Sequence, residues 1–386
     1  MEYPKIRRIY KLIIQQTFHT GGENIAKRIP AIVIETNTQT QTQMYEGAPW
    51  CLGRYDSFEI NQPKLITLLD HDYVIWKDES GNLNALDNIC PHAGANLAKG
   101  GYIVDFQGNN CLACPYHGNK VQFLGDGKVI IDGNISNQAI QQVLPLQIVD
   151  SLVWTYGLSW QEQDGKLVSE PIEPKLPIPD YSNVPYLPKS HSQLQINGLK
   201  HIYSRSESVD CNILQAIWNI HDGEHFAGSH RDTMLTQEIK INNLTQDENK
   251  LAWQLIQYKR DDPDAKRNKM SLLVDNVYVQ CFNTFLPSLA VITLDYRGQL
   301  VLGIVTIYPE SPHSTILCLD SYIDFEFSWW QKLIGFPKIA NIFRDRLLIE
   351  DISILNDLYL TFNKKINLKN DTPAELAINY LQNWGD

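Results

Sequence analysis

Long apolar runs, basic clusters and an even set of cysteines are all absent from this 386-residue chain. No stretch of 18 apolar residues occurs, so the sequence predicts no membrane-spanning helix. The 33 basic residues form no long run and are outnumbered by 44 acidic residues, which argues against nucleic acid as the main partner. Seven cysteines in a long chain argue against a disulfide framework and favour a reducing compartment.

Two further signals are missing. The apolar run near the N terminus, Leu12 to Ile14, is too short for the core of a signal peptide, so we expect a cytoplasmic protein. No G-x-G-x-x-G fingerprint follows a predicted strand. The chain is therefore not expected to bind a dinucleotide through such a loop.

Changes in composition and residue pattern divide the chain into three parts. Residues 1–45 include the polar run NTQTQTQ and are predicted to form an arm and a linker. Residues 46–165 contain short β-rich segments broken at Asp70-His71 and at Ser80-Gly81-Asn82, which predicts a small all-β domain built from hairpins. Six prolines within residues 170–188 indicate a crossing to a second domain, residues 166–386.

The second domain is predicted to be α+β. Residues 250–325 favour strands, and residues 205–228 favour helix. The C-terminal segment returns to helix, where Thr372 to Glu375 has the pattern of a capping box with proline at the first helical position. Strands enclosed by helices predict a sheet with helices packed on it.

Two Cys-His half-sites lie in the β domain. They are CPH, which contains Cys90 and His92, and CPYHG, which contains Cys114 and His117. Hairpin loops could bring the four side chains to one point, where two thiolates and two imidazoles would bind either a Rieske [2Fe-2S] cluster or a structural zinc ion. Cys111 is interpreted as a spectator near this site, and the other cysteines are interpreted as buried apolar residues: Cys51, Cys211, Cys281 and Cys318.

The segment HDGEHFAGSH, residues 221–230, can be interpreted in two ways. As H-x-x-E-H it matches a zinc-protease motif led by His221, with Glu224 as base. As D-x-x-H-x-x-x-x-H it places Asp222, His225 and His230 in the leading roles. Gly223 would weaken the regular helix that the protease motif needs by roughly 1 kcal/mol relative to alanine.

CPHAGANLAKG, CPYHG and the segment NIHDGEHFAGSH, in this order, resemble the α subunits of Rieske non-heme iron oxygenases. The resemblance implies a Rieske [2Fe-2S] domain followed by a catalytic domain with an antiparallel sheet of the helix-grip (START-like) type. It implies that Cys90, His92, Cys114 and His117 hold the cluster. It also favours the second interpretation of residues 221–230, in which His221 is a solvent or interface histidine and Glu224 a surface acid.

The same resemblance implies a mononuclear Fe(II) held by His225 and His230. Asp222 is expected one turn before His225 on the same helix face, where it accepts a ring proton from His225. It is also expected to carry electrons from His117 of a neighbouring subunit, and Asn219 is expected near the iron. The third ligand is expected in IEDISIL, where Asp351 matches the family pattern; Glu350 is the second choice, and the isoleucines of this segment would pack the helix on the sheet.

The activity implied is that of a terminal oxygenase. Fe(II) would activate O2 to hydroxylate, demethylate or desaturate a small organic substrate, apolar or polycyclic, in a cavity formed by residues 270–325 and Phe226. Electrons would come from NAD(P)H through a separate ferredoxin or flavin reductase, and the assembly would be a homotrimer. Monooxygenation is preferred to ring cis-dihydroxylation. The alternatives left open are a zinc-dependent hydrolase with a structural Cys2His2 site and a simple Rieske ferredoxin.

Overall fold

The computed structural model describes residues 45–163, 166–187, 191–268, 275–296, 298–329, 336–358, 366 and 368–384. Except for Tyr45, the predicted arm and linker, residues 1–45, lie outside this range. None of the helices within these residues combines the length and the apolar character needed to cross a membrane.

The strands are numbered in chain order. They are β1 (Trp50–Arg54), β2 (Lys64–Leu68), β3 (His71–Lys77), β4 (Leu83–Asp87), β5 (Tyr102–Phe106), β6 (Asn109–Cys114), β7 (Gly118–Phe123), β8 (Lys128–Ile131), β9 (Asn134–Ile140), β10 (Gln147–Val149), β11 (Leu152–Thr155), β12 (Leu158–Gln163), β13 (Lys166–Pro171), β14 (Lys200–Val209), β15 (Thr236–Asp247), β16 (Lys250–Lys259), β17 (Val277–Phe285), β18 (Leu289–Tyr296), β19 (Gln299–Ser311) and β20 (Ser314–Ile323). The α-helices are α1 (Ile213–His221), α2 (His225–Gly228), α3 (Pro263–Arg267), α4 (Phe336–Asp357) and α5 (Thr372–Gln382).

The N-terminal half consists of small antiparallel sheets. Their strand orders are β1-β11-β10, β2-β3-β4, β5-β6-β7-β8-β9 and β12-β13. The predicted hairpins are present: Leu69 and Asp70, both with positive φ, join β2 to β3, and the Ser80-Gly81-Asn82 segment joins β3 to β4. The β12-β13 hairpin crosses the predicted boundary at residue 165.

The C-terminal half is built on one antiparallel sheet of order β14-β20-β19-β18-β17-β16-β15. Side chains alternate between its faces, as strand geometry requires. On β20, Leu317, Leu319, Ser321 and Ile323 face a cavity covered by α4, whereas Tyr322 packs in a second core on the opposite face. A small all-β part followed by an α+β part with helices on an antiparallel sheet is the predicted fold class, which is confirmed.

The two halves share packing. The β2-β3 turn donates the amides of Leu69 and Asp70 to the carbonyls of Pro309 and Glu310 on β19, each at 2.9 Å. One apolar core joins residues from both halves, among them Trp50 and Tyr73 of the first half and Trp253 and Leu317 of the second. The Rieske half-sites are therefore carried on a part that is attached to the large sheet by backbone hydrogen bonds and by a common core.

Three local predictions are corrected by the structure. Residues 200–209 form strand β14, paired with β20, so helix begins only at Ile213 and not at 205. The predicted capping box of α5 is absent: Asp371 is the N-cap residue, and its carboxylate accepts the Leu368 amide at 2.8 Å instead of capping the helix. Ile349 is 49% exposed, so α4 packs through other residues such as Leu348 and Leu355.

Candidate metal centres and substrate cavity

The first candidate centre lies between two loops of the five-stranded sheet region. Cys90 and His92 belong to the loop after β4, and Cys114 ends β6, with His117 in the turn before β7. The Nδ1 atoms of His92 and His117 lie 3.1 Å apart, and the thiol of Cys90 lies against that of Cys114. Two sulfur and two nitrogen donors thus face each other in pairs, which is the ligand set of a Rieske cluster.

Burial differs between the two kinds of donor. Cys90 and Cys114 are buried in a small core with Trp76 and Phe123, and burial raises the pKa of the Cys90 thiol. His92, by contrast, is exposed, whereas His117 is half-buried beside Tyr116, which is 68% exposed. A cluster held here would have its sulfur side inside the domain and its histidine side at the surface, where an electron can enter or leave.

Loop packing depends on glycine at one position in particular. A Cβ on Gly101, directly before β5, would lie 2.2 Å from the carbonyl oxygen of Leu97. No side chain can occupy that space without moving backbone. Gly101 therefore lets the loop that carries Cys90 and His92 fold tightly against β5.

Cys111 is buried on β6, and its Sγ lies 3.5 Å from the carbonyl oxygen of Asn109. Burial raises its pKa to about 11. It does not join the facing pairs formed by Cys90, His92, Cys114 and His117. The remaining cysteines are buried as well, as the sequence analysis expected.

The second candidate centre joins α2 to α4. His225 opens α2, His230 follows its end, and Asp351 lies on α4. A ligand atom from each of these three residues lies within 4.8 Å of the other two. The Oδ1 atom of Asp351 is 3.1 Å from Nε2 of His230 and 3.6 Å from Nε2 of His225.

Hydrogen bonds fix which ring nitrogens are available. Nδ1 of His230 donates to Oε2 of Glu350 at 2.8 Å, and Nδ1 of His225 donates to the backbone carbonyl of Asp222. The Nε2 atoms of both rings then face the carboxylate oxygen of Asp351. When both Nε2 atoms are unprotonated, three donor atoms are directed at one point, and two histidines with one carboxylate form the face that binds non-heme Fe(II).

The pKa values of Asp351, His230 and His225 reflect burial and these same contacts. Burial opposes ionisation of Asp351, yet the hydrogen bond and charge of His230 lower the pKa of that carboxyl group. Burial likewise disfavours charge on His230, but Asp351 and Glu350 together raise its pKa to about 9. Burial dominates at His225 and lowers its pKa to about 4. The site is therefore electronegative and suited to a divalent cation.

Glu350 has a different place from Asp351. Its Oε2 atom accepts from His230, and its Oε1 atom accepts from the hydroxyl of Thr233 at 2.6 Å. Both carboxylate oxygens of Glu350 accept hydrogen bonds, and they lie on the Nδ1 side of the His230 ring, away from Asp351. Glu350 orients His230, a role that sequence reasoning did not assign to it; its position beside the predicted ligand was the available signal.

Asp222 lies between the two helices and not on a common face with His225. The helix α1 ends at His221, and Asp222 is its C-cap residue. The carbonyl of Asp222 accepts the ring proton of His225, whereas its carboxylate accepts the amide of Glu224 at 2.9 Å. Asp222 therefore accepts the ring proton of His225, as predicted, but through its backbone carbonyl and not through its side-chain carboxylate. Burial raises the pKa of the half-buried carboxyl group.

Helix α1 delivers this segment to the edge of the cavity. Asn212 and Gln215 form a reciprocal capping box, with the Asn212 carboxamide oxygen accepting the Gln215 amide at 3.0 Å and the Gln215 side chain accepting the Asn212 amide at 3.1 Å. This box fixes the start of a nine-residue helix that ends at His221. Asn219 lies in its last turn and donates to Oδ1 of Asp351 at 3.1 Å, so it lies beside the predicted metal site.

The interpretation of His221 as a solvent or interface residue is wrong. It is buried, with Nδ1 2.7 Å from the Ile217 carbonyl and Nε2 2.8 Å from the Thr284 hydroxyl. Burial lowers its pKa to about 4. Glu224 is also not a free surface acid, because it is half-buried and accepts from the Asn370 side chain at 2.6 Å.

An apolar cavity of about 250 Å³ adjoins the second centre. Its volume is just below the roughly 300–1,000 Å³ typical of small-molecule sites. The large sheet forms its floor, and α4 contributes residues at helical spacing, from Ala340 through Phe343, Leu347 and Leu348 to Asp351. Phe226 and strands β17 to β20 complete the wall, within the region that the sequence analysis expected.

Comparison with known proteins concerns the first domain and the overall fold. The family profile of the Rieske [2Fe-2S] domain matches residues 49–141. Cholesterol 7-desaturase nvd 2 of Ciona intestinalis is 26% identical over 271 residues, covering 69% of this chain and 53% of that protein. This chain therefore spans about half the length of that relative.

Solved structures share the fold over most of the chain. Dicamba monooxygenase bound to dicamba has a TM-score of 0.56 at 18% identity and covers 87% of this chain and 97% of its own. NdmA of Pseudomonas putida CBB5 has a TM-score of 0.58 at 14% identity, with 87% and 89% covered. Together, these similarities confirm the predicted resemblance to the α subunits of Rieske non-heme iron oxygenases: residues 49–141 match the Rieske [2Fe-2S] domain, and the fold of most of the chain is shared with the two solved structures.

Proposed function

We propose that the chain is the terminal oxygenase component of a Rieske oxygenase system, which oxidises a small, largely apolar substrate with dioxygen. The observation that carries this proposal is the convergence of His225, His230 and Asp351 at an apolar cavity. When bound, a Rieske cluster would store an electron and a mononuclear Fe(II) would activate dioxygen. Cys90, His92, Cys114 and His117 are the proposed cluster residues.

The chain's own groups would provide placement and orientation. His225, His230 and Asp351 would hold the iron at the wall of the cavity, where substrate and dioxygen could reach it. Glu350 and the Asp222 carbonyl would hold the two imidazoles in the ligating tautomer. Phe226, Phe282 and Leu348 would keep water away from the reacting carbon, since they line an apolar wall.

Electron delivery is proposed to cross between subunits. The histidine side of the cluster site is at the surface, and Asp222 lies half-buried beside His225. We propose that Asp222 receives the electron from His117 of a second copy of this chain, in a homotrimer located in the cytoplasm. A separate ferredoxin or flavin reductase would supply electrons from NAD(P)H. Light scattering tests the trimer, for which we expect three times the 44.2 kDa chain mass.

Monooxygenation is preferred to ring cis-dihydroxylation. The similar proteins are named as a desaturase and a monooxygenase, and neither name describes cis-dihydroxylation of a ring. The metal ligands are common to all these reactions, so the choice rests on the relatives. Product analysis separates them, because a cis-diol gains two oxygen atoms from O2 and a hydroxylated product gains one.

The test begins with the metals. Anaerobically purified protein should contain about three irons and two sulfides per chain and show the visible absorption of a Rieske centre. His225→Ala should lower the iron content to about two per chain and leave that absorption unchanged. Colourless protein with zinc at both sites would overturn the proposal in favour of a hydrolase.

Turnover is then measured with a surrogate reductase, NADH, labelled dioxygen and a panel of apolar ring compounds. We expect label from O2 in a hydroxylated product. His225→Ala is the matched control, since it should retain the cluster and lose product formation. Full iron loading without hydroxylated, demethylated or desaturated product from any substrate class would contradict an oxygenase.

A further inference from the structure

A single arginine interrupts the apolar cavity. Arg344 is the one lysine or arginine among the described residues that line it, and it lies on α4 together with Asp351. The rest of this helix face is apolar, with Leu347 and Leu348 between the two charged residues. A charged group in such a wall is expensive to maintain without a partner.

Arg344 forms no ion pair with an acid in the part of the chain that the structure describes. Its Nη1 atom is 3.5 Å from Oδ1 of Asn341, which is at most a weak hydrogen bond. The neighbouring Asp345 is engaged elsewhere, accepting from the Tyr203 hydroxyl at 2.7 Å and from Arg205 at 3.2 Å. Among the described residues, the five N–H donors of the Arg344 guanidinium therefore have fewer acceptors than they could use.

The charge persists at physiological pH. Burial lowers the pKa of Arg344, but only to about 10. The group is therefore a permanent cation facing an apolar space. Arginine presents paired N–H donors in a plane, a geometry that matches a carboxylate and forms charge-assisted hydrogen bonds.

We propose that Arg344 is a substrate-binding residue that selects apolar compounds with an anionic terminal group such as a carboxylate. This inference rests on the proposed function, because it places the opposite end of the substrate at His225, His230 and Asp351. Arg344 precedes Asp351 by seven residues, which is two helical turns or roughly 10 Å along the helix axis. The substrate class is accordingly an aryl or polycyclic acid whose oxidised carbon lies far from its carboxylate.

The geometry of the wall supports an extended ligand. Leu347 and Leu348 lie between Arg344 and Asp351 on the helix, and Phe282 and Ile292 lie on the sheet floor. These side chains would contact the apolar body of the ligand, while the two polar ends of the cavity would fix its direction. A neutral compound of the same shape would retain the apolar contacts but leave Arg344 without a partner.

The test compares two probes by isothermal titration calorimetry with the anaerobic holoenzyme. Biphenyl-4-carboxylate is the anionic probe, and 4-biphenylmethanol is the neutral one. Wild-type protein should bind the carboxylate at least about tenfold more tightly, because a hydrogen bond between charged groups replaces a neutral one. Arg344→Gln should weaken carboxylate binding by about 10- to 100-fold and change the binding of the alcohol by less than about threefold.

Two variants control for charge and folding. Arg346→Gln removes an exposed arginine from the same helix and should leave both dissociation constants unchanged. Arg344→Lys retains the charge without the planar fork, so it should retain part of the preference for the carboxylate. Circular dichroism and melting temperature check that the Arg344→Gln protein is folded. If it is not folded, the inference is tested by the preference of the wild-type and Arg344→Lys proteins for the carboxylate over the alcohol.

Several outcomes would overturn the inference. They are equal affinity of wild-type protein for the two probes, absence of carboxylate binding, or an effect of Arg346→Gln as large as that of Arg344→Gln. The proposed function fails separately, by the absence of the mononuclear iron. Carboxylate selectivity in a protein without that iron would retain the binding role of Arg344 and refute only the oxygenase.

Discussion

The assignment of the third metal ligand yields a sharp prediction, because two adjacent carboxylates occupy different positions around His230. Asp351 faces Nε2 of His230 at 3.1 Å, on the side shared with His225. Glu350 accepts from Nδ1 of the same ring at 2.8 Å, on the opposite side. Replacing each by its amide keeps the size and removes the charge, so the pair of variants separates a metal ligand from an orienting residue.

The expected magnitudes differ. Asp351→Asn removes one of the three proposed protein ligands and weakens the charge that would attract the cation, so iron content should fall from about three to about two per chain. Glu350→Gln leaves all three proposed ligands in place. Loss of an orienting partner of a metal-bound histidine typically costs about 10- to 100-fold in metal affinity. That corresponds to about 1.4–2.8 kcal/mol.

The assay is an anaerobic titration with Fe(II) in the presence of a competing chelator, followed by iron and sulfide determination. The visible absorption of the cluster provides an internal control, since neither variant touches Cys90, His92, Cys114 or His117. Glu350→Gln should reach full loading at higher Fe(II), whereas Asp351→Asn should not. The reverse result, with Asp351→Asn fully loaded and Glu350→Gln at two irons, would transfer the ligand role to Glu350.

Three further predictions concern residues around the two centres. Asp222→Asn should retain both metals and slow product formation severely, as measured by single-turnover kinetics; an unchanged rate would refute its part in electron transfer. Cys111→Ala should retain the Rieske absorption and Cys114→Ala should lose it, and equal loss in both would make Cys111 a ligand. Burial of His221 lowers its pKa to about 4, below the ordinary value of 6.5, so the unfolded chain binds its proton first as pH falls. This residue should therefore contribute stability that is complete above pH 6.5 and declines by about 3 kcal/mol toward pH 4. Urea unfolding at pH 7 and pH 5 should show a smaller pH dependence for His221→Gln than for wild-type protein.

The order of the two parts of the fold could be predicted because it depends on local patterns. Hairpin turns at Leu69-Asp70 and at Gly81 follow from residues adjacent in sequence. The helix before β15 was placed too early, since residues 200–209 pair with β20, more than a hundred residues later. Strand pairing at that separation overrides local preference, and no window of sequence contains it.

The sequence by itself predicted the candidate donors, because metal chemistry restricts ligands to a few residue types and the half-sites are contiguous. These half-sites identified Cys90, His92, Cys114 and His117 as candidates, and the resemblance to the oxygenase family identified the histidines of the second centre. Only the tertiary structure decided which acid lies on which side of His230. Asp351 and Glu350 are neighbours on α4, and the rotation of this helix about its axis places Asp351 at Nε2 and Glu350 at Nδ1. The same is true of His221 and Arg344. One is buried and one faces the cavity, and each outcome depends on the rotation of a helix against a sheet built from distant strands.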